Sequence, residues 1–466
     1  MDNPSSIYPS LANPLSPTQN QSIITIGKML FGSIQAQNSF VFNKRHWMGK
    51  LMAWAISDPN FKTNLFRFVD VFPSLHNNRS LLYLLQEYLD NPTSPITVRF
   101  GLKVIHALGS LSPQLITPII RKVTLQLAHQ FIIGETTTQA IQNIEALRQK
   151  GFAFTVDVLG EATLNQPEAD HYFSAYINLL TQLQNAQKNW TPLAPSSNNW
   201  DWSYSPPIQV SIKPTSLYWD VNPLNLQSSV NRILDRLLPL HHHTIQMGAS
   251  LCIDMESYKY KNITLELYKR LRSHPSCQHY PHIGIALQAY LKETETDVDN
   301  LLQWSNKLNL PIQIRLVKGA YWDAETIITH QNGWPPPVWE QKHLTDAAFE
   351  RLAIKILRHH NLCYLACSSH NIRSIACVLQ MANELSVPSD RFEFQLLYGM
   401  AEPLQAGIKD IAGRVRLYCP YGNTIAGMAY LVRRLLENTS NESFLRQTFA
   451  EHQDIDSLLK NPASLS

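Results

Sequence analysis

Arg315-Leu-Val-Lys318-Gly319-Ala320-Tyr321-Trp322-Asp323 concentrates more chemistry than any other stretch of the chain. An apolar, alternating run from Pro311 to Val317 ends in two cations, a glycine and two aromatic rings. The alternation predicts a buried strand, and Gly319 lets backbone approach whatever lies beyond its end. Fixed positive charge beside flat faces suits an anionic, planar partner such as a nucleotide cofactor. A second constellation, Tyr430-Leu-Val-Arg433-Arg434-Leu-Leu-Glu437-Asn438, has helical apolar spacing and places Arg433 four residues before Glu437. That spacing allows an ion pair on one helix face, while adjacent arginines project about 100° apart and can meet two different anions.

These residues need a scaffold, and the period of the apolar residues supplies one. Eight short apolar runs alternate with longer amphipathic segments: 152–159, 208–213, 249–254, 283–288, 312–317, 363–367, 391–396 and 415–418. Strand-then-helix repetition of this kind predicts a (β/α)8 barrel. Polar residues close the runs, among them Lys213, Asp254, Gln288, Lys318, His370, Gln395 and Tyr418. A barrel gathers such ends on one face, where its active sites lie.

Residues 1–22 are rich in Ser, Pro, Asn and Gln and read as a disordered tail, and 451–466 as a second polar tail. Residues 23–137 show only helical periodicity, as in Met52-Ala-Trp-Ala-Ile56 and Leu81-Leu-Tyr-Leu-Leu85, and form an expected helical arm ahead of a barrel over 138–450. A helix over 137–149 ends at Lys150-Gly151.

Composition excludes several classes. Hydrophobic residues make up 44% and charged residues 16% of 466, with a net charge of +3, which describes a globule without the basic field that nucleic acid requires. The first 42 residues carry one Lys and no Arg, so no basic DNA-binding arm is expected. The richest apolar stretch, 115–133, contains Arg121, Lys122 and His129, so membrane contact is expected to be peripheral. Six cysteines without regular spacing predict reduced thiols in a cytoplasmic setting. Cys363, Cys367 and His370 have a metal-like spacing, but two cysteines along an interior strand read as small core residues, and no metal site is expected. His241-His-His243 reads as a solvated turn. No Gly-x-Gly-x-x-Gly occurs, which argues against a Rossmann nicotinamide enzyme.

The 315–323, 398–404 (Tyr-Gly-Met-Ala-Glu-Pro-Leu) and 430–438 blocks resemble the signature blocks of proline dehydrogenase, in the form found in bacterial proline utilization A flavoproteins. Phe154-Thr-Val-Asp-Val-Leu-Gly-Glu-Ala162, Ser211-Ile-Lys213, Ile253-Asp254, Gln288-Ala-Tyr290, Ser369-His-Asn371 and Phe392-Glu-Phe-Gln395 agree, so the resemblance spans roughly 45–450. It implies FAD-dependent oxidation of L-proline to Δ1-pyrroline-5-carboxylate in a distorted (β/α)8 barrel, with electrons passed to a membrane quinone. By the same matching, Arg433, Arg434 and Lys213 hold the proline carboxylate, Tyr418, Tyr321 and Leu397 enclose its ring, and Asp254 positions the cationic clamp. Arg315 takes the flavin-edge position. FAD contacts carry over to Gln288, Val317, Lys318, Gly319, Ala320, Tyr321, Trp322, Lys342, Ser369, His370, Asn371, Gln395, Leu397, Arg434, Glu437, Ser443 and Phe444, with Lys342 and His370 facing its phosphates.

Two positions depart from the pattern: Ser368-Ser369 stands where Ala-Thr is common, and Glu340 where a small hydroxyl residue is expected. No aldehyde dehydrogenase segment follows residue 450, so a separate glutamate-semialdehyde dehydrogenase is the expected partner. The helical arm is expected to wrap the barrel and support a homo-oligomer. Two other classes compete at this point. Lys213 or Lys318 could form a Schiff base in an aldolase-like barrel with Asp254 as acid or base, and a non-catalytic barrel could serve as scaffold or regulator.

Overall fold

A computed structural model describes residues 15–41, 71–90 except 76, 129–423 except 161 and 195–199, and 455–465, with scattered positions between 64 and 125. Eight strands form a closed, all-parallel barrel: β1 (Ala153–Val158), β2 (Gln209–Ile212), β3 (Ser250–Ile253), β4 (Ile283–Gln288), β5 (Ile312–Val317), β6 (Cys363–Ser368), β7 (Phe392–Leu397) and β8 (Val415–Tyr421). Each expected run contains or overlaps its strand, and β8 extends three residues further than the run that announced it. Closure rests on β1 against β8, in register from Ala153 opposite Arg416 to Val158 opposite Tyr421.

The described helices that matter to the site are α1 (Pro17–Val41), α2 (Asn78–Leu89), α3 (Thr137–Gln149), α4 (Gln166–Gln187), α5 (Leu226–Gln246), α6 (Lys261–Ser273), α7 (Thr294–Leu308), α8 (Trp322–Asn332), α9 (Lys342–Arg358), α10 (Ile372–Glu384) and α11 (Glu402–Ala412). The Thr136 hydroxyl caps α3 by accepting from the Gln139 amide. Buried Leu, Ile and Val side chains from strands and helices merge into one core. Parallel strands covered on their outer faces by helices require that composition.

Both termini differ from the expected tails. Helix α1 begins at Pro17, five residues before the proposed tail ends, and Ile23, Leu30, Phe31 and Ile34 are buried against α10 and α11. At the other end a helical turn over Ile455–Leu458 leads to Leu459, which is fully buried. Gly27 makes room for it, since a Cβ there would come 2.6 Å from Leu459 Cδ2. Within the described residues, the polar side chains of 16–22 lie on the outward side of α1 and its approach, while 1–14 and 451–454 lie outside the described residues. His241, His242 and His243 lie in the last turns of α5 rather than in a solvated turn, with His241 buried and its pKa lowered to about 3 by desolvation. Among the described residues of the arm, α1 and α2 are helical. Ile133 and Gly134 add to the end of β8 through Ile133 N–H to the Pro420 carbonyl (2.8 Å) and Gly422 N–H to the Gly134 carbonyl (3.0 Å).

The N-terminal end of the barrel is plugged. Arg416 of β8, buried completely, ion-pairs with Glu393 of β7 (Nε to Oε1, 2.8 Å) and donates to the Phe154 carbonyl (2.9 Å) and Ser205 Oγ (2.7 Å). Its guanidinium lies 5.7 Å from the Trp202 ring, in a loop pinned by Asp201 to Arg148 of α3. The opposite, C-terminal mouth is left for ligands. Cys363 and Cys367 are core residues of β6, each thiol pushed up to about 12 by burial. No helix among the described residues is long and apolar enough to cross a membrane.

The plug sets a stability expectation. Glu393→Ala leaves Arg416 buried and uncompensated and should destabilise the fold by about 3 to 5 kcal/mol in denaturant unfolding. An unchanged midpoint would show that water reaches and solvates Arg416.

Candidate active site

Asp254, just past β3, is the hub of the mouth. Its Oδ1 receives Arg315 Nη1 from β5 at 2.6 Å and its Oδ2 receives the Tyr418 hydroxyl from β8 at 2.7 Å. The Arg315 guanidinium lies 5.5 Å from the Tyr418 ring centroid, and Nη2 reaches Gln209 Oε1 at 3.5 Å. Three strands are thereby fixed to one carboxylate. Arg315 is 4% exposed, and although burial alone opposes its charge, the fields of Cys252, Asp254 and Tyr418 raise its pKa. It is a permanent, immobile cation.

Beside it, Lys213 at the end of β2 pairs with Asp157 of β1 at 2.5 Å. The Asp157 carboxyl is fully buried, and desolvation lifts its pKa to about 6 against the pull of Lys213. Its Oδ1 has no hydrogen-bond partner among the described residues. Asp254 therefore binds Arg315 and Tyr418, while Asp157, assigned no role from sequence, serves Lys213. A lone acidic residue inside the apolar run Phe154-Thr-Val-Asp-Val158 was the available signal.

A third cluster lies past β5 and β6. Lys318 pairs with Asp346 of α9, and Lys342, one turn earlier on α9, reaches the same carboxylate at 2.7 Å. Burial lowers the Lys318 pKa, while Lys318 and Lys342 together overcome desolvation to lower that of Asp346. Asn371 donates to Asp346 Oδ2 at 3.4 Å, caps α10 by accepting from the Ser374 amide, and gives its own N–H to Ser369 Oγ. His370 Nε2 accepts from the Leu397 amide at 3.3 Å. Asp346 is a second residue that sequence reading missed, although its place four residues after Lys342 invited attention.

The remaining expected residues divide clearly. Gly319 has φ +136° and sits against the Tyr290 ring, which a Cβ would approach to 2.5 Å, so the turn after β5 requires glycine. Val317 and Tyr321 are half-buried, and Ala320 and Trp322 exposed, with Trp322 Nε1 donating to the Trp339 carbonyl at 2.8 Å. Gln288 at the end of β4 donates to the Glu256 carbonyl at 3.2 Å and leaves its buried Oε1 without a partner among the described residues. Gln395 of β7 is turned to Glu393 at 2.6 Å, tying the mouth to the plug. Glu340 is exposed, 3.9 Å from His330. Arg433, Arg434, Glu437, Ser443 and Phe444 lie outside the described residues.

The site thus offers a buried cation, a polar mouth and a cluster in which two lysines share one carboxylate. Comparison with known proteins identifies the scaffold. The family profile described as Proline dehydrogenase matches residues 140–447, and Proline utilization A N-terminal domain matches 20–131. The bifunctional protein PutA of Klebsiella aerogenes and that of Escherichia coli K12 are each 32% identical over 365 residues, covering 74% of this chain and 26% of the relative. The chain spans about a quarter of the length of these relatives. Proline dehydrogenase 1 of Bacillus subtilis is 26% identical over 318 residues, 68% of this chain and 89% of the relative. The crystal structure of proline utilization A from Bdellovibrio bacteriovorus inactivated by N-propargylglycine superposes with a TM-score of 0.84 at 37% identity, over 96% of this chain and 44% of that one. Since the first match takes in every strand of the barrel, the chain belongs to the proline dehydrogenase family.

Proposed function

We propose that the barrel oxidises L-proline to Δ1-pyrroline-5-carboxylate with FAD as oxidant, delivering electrons to a membrane quinone from a cytoplasmic position at the membrane surface. The observation that carries this reading is the Asp254 hub, which holds Arg315 rigidly in the mouth of a barrel of this family. The donor set fits FAD. Lys318 and Lys342 share a single carboxylate and so leave surplus positive charge for a diphosphate, with His370, Asn371 and Ser369 adjoining. The unpartnered Gln288 Oε1 is an acceptor suited to a ring N–H. Val317, Gly319, Ala320, Tyr321, Trp322, Gln395 and Leu397 would complete the contacts near β5 and β7, and Glu437, Ser443 and Phe444 those beyond β8.

Bound FAD would supply the hydride acceptor for the carbon next to the proline nitrogen. Arg315, locked by Asp254, favours the negative charge that accompanies reduction, and it needs no reorganisation to do so. Lys213, with Arg433 and Arg434, holds the substrate carboxylate. Tyr418, Tyr321 and Leu397 confine the apolar ring, and Asp254 keeps the Tyr418 ring in place through its hydroxyl. Orientation over the acceptor is the main catalytic contribution of these residues. The product, a cyclic imine in equilibrium with an aldehyde, would be the substrate of a glutamate-semialdehyde dehydrogenase.

Two measurements test the reading. Reduction of an acceptor dye by L-proline in the FAD-loaded chain should be slowed by Arg315→Met, with a lower flavin potential; a mutant reduced at the wild-type rate removes Arg315 from its role. The second uses pH. Below about pH 6 Asp157 loses its charge, so its repulsion of a carboxylate ligand disappears and its hold on Lys213 weakens. Cyclopentanecarboxylate, which lacks the amine and stays mostly ionised above about pH 5.5, should bind more tightly as pH falls from about 7.5 to about 5.5. Asp157→Asn should abolish the step, and a step of equal size in that mutant assigns it elsewhere.

A further inference from the structure

Helix α9 carries Lys342, Asp346 and Glu350 at successive turns, so the three line one face. Lys342 and Asp346 belong to the cation cluster at the mouth. Glu350, one turn deeper, is buried and pairs with Arg373 of α10 through both oxygens, Nε to Oε1 at 3.2 Å and Nη2 to Oε2 at 3.4 Å. Arg373 follows Asn371 by two residues, so one turn of α10 touches Asp346 with one side chain and Glu350 with another.

The remaining donor of Arg373 leads to the ends of the described chain. Nη1 donates to Asn20 Oδ1 of α1 at 2.6 Å and to the Leu459 carbonyl at 2.9 Å. These two segments also grip each other, Leu459 against Gly27 and Lys28 with Asp456 at 2.6 Å. Arg373 is therefore where both terminal segments meet the helix that carries Lys342 and Asp346.

Burial lifts the Glu350 carboxyl to about 7, against the pull of Arg373 first and of Lys318 after it. While the guanidinium occupies both carboxylate oxygens, Lys318 is free to engage Asp346 at the mouth. Without it, and above about pH 7, a buried carboxylate would stand uncompensated one turn below Asp346, and the flexible Lys318 ammonium would be drawn inward. We propose that Arg373 is a positioning residue for the cofactor's diphosphate site: it holds Glu350 so that Lys318 stays with Asp346, and the packed terminal segments hold Arg373. This rests on the FAD reading above and deepens it.

The test measures, at about pH 8.5 where Glu350 is ionised, the dissociation constants of the full chain for FAD and for riboflavin, which shares the ring but has no phosphate. Arg373→Met should weaken FAD by about tenfold, the scale of one charge-assisted contact, and leave riboflavin unchanged. Arg373→Met/Glu350→Gln, in which no buried carboxylate competes for Lys318, should recover FAD affinity. Asn20→Ala, which removes one acceptor from Arg373 at the surface of α1, should give a smaller loss confined to FAD. Equal losses for FAD and riboflavin would mean general loosening and overturn the proposal, as would an unrecovered double variant. Should Arg373→Met not fold, the double variant and Asn20→Ala decide it. A wild-type chain that takes up no FAD removes the underlying reading; one that binds FAD no better than Arg373→Met removes only the role of Arg373.

Discussion

One carboxylate governs the geometry of the mouth. Asp254 spans from β3 to Arg315 of β5 and Tyr418 of β8, fixing a cation and an aromatic ring relative to each other across the lumen. Neither side chain could be held so firmly by packing alone, because each must keep one face open toward a ligand. A shared anion solves this by using short charge-assisted bonds in a poorly hydrated setting, where such bonds are stronger than at a surface. The proposed chemistry depends on that arrangement, since a cation that had to reorganise would stabilise developing charge less.

The barrel separates two uses of buried charge. At its N-terminal end, Arg416, Glu393, Arg148 and Asp201 are matched and closed off, with Trp202 laid against the guanidinium. At its C-terminal end the pairing among the described residues is uneven: one carboxylate for Lys318 and Lys342, and an Asp157 whose second oxygen has no partner there. Matched charge builds a floor, whereas unmatched charge builds a site. Gln395, bonded to Glu393 and placed at the end of β7, connects the two.

The eight strands were legible because a parallel strand covered on both faces must be apolar throughout, and such runs stand out between amphipathic helices. Arg315, Lys318, Gly319 and Tyr418 were legible for the opposite reason, as polar or special residues at the ends of apolar runs. Asp157 was hidden within a strand. The Lys318–Asp346 contact joins residues 28 positions apart, and Arg373 reaches residues 353 and 86 positions away, so no local pattern could reveal them. The terminal segments were read as tails because their outward residues are polar, while what anchors them, Leu459 against Gly27, is a tertiary contact. The histidines of α5 were misread because a run of three polar residues outweighed the helical spacing around it.

Anaerobic titration of the purified, FAD-loaded chain with L-proline, followed by visible absorbance, tests the central claim most directly. The account predicts that the oxidised flavin band bleaches as proline is added and returns when an electron acceptor is admitted. A chain that takes up no FAD, or whose flavin stays oxidised at saturating proline, would contradict it.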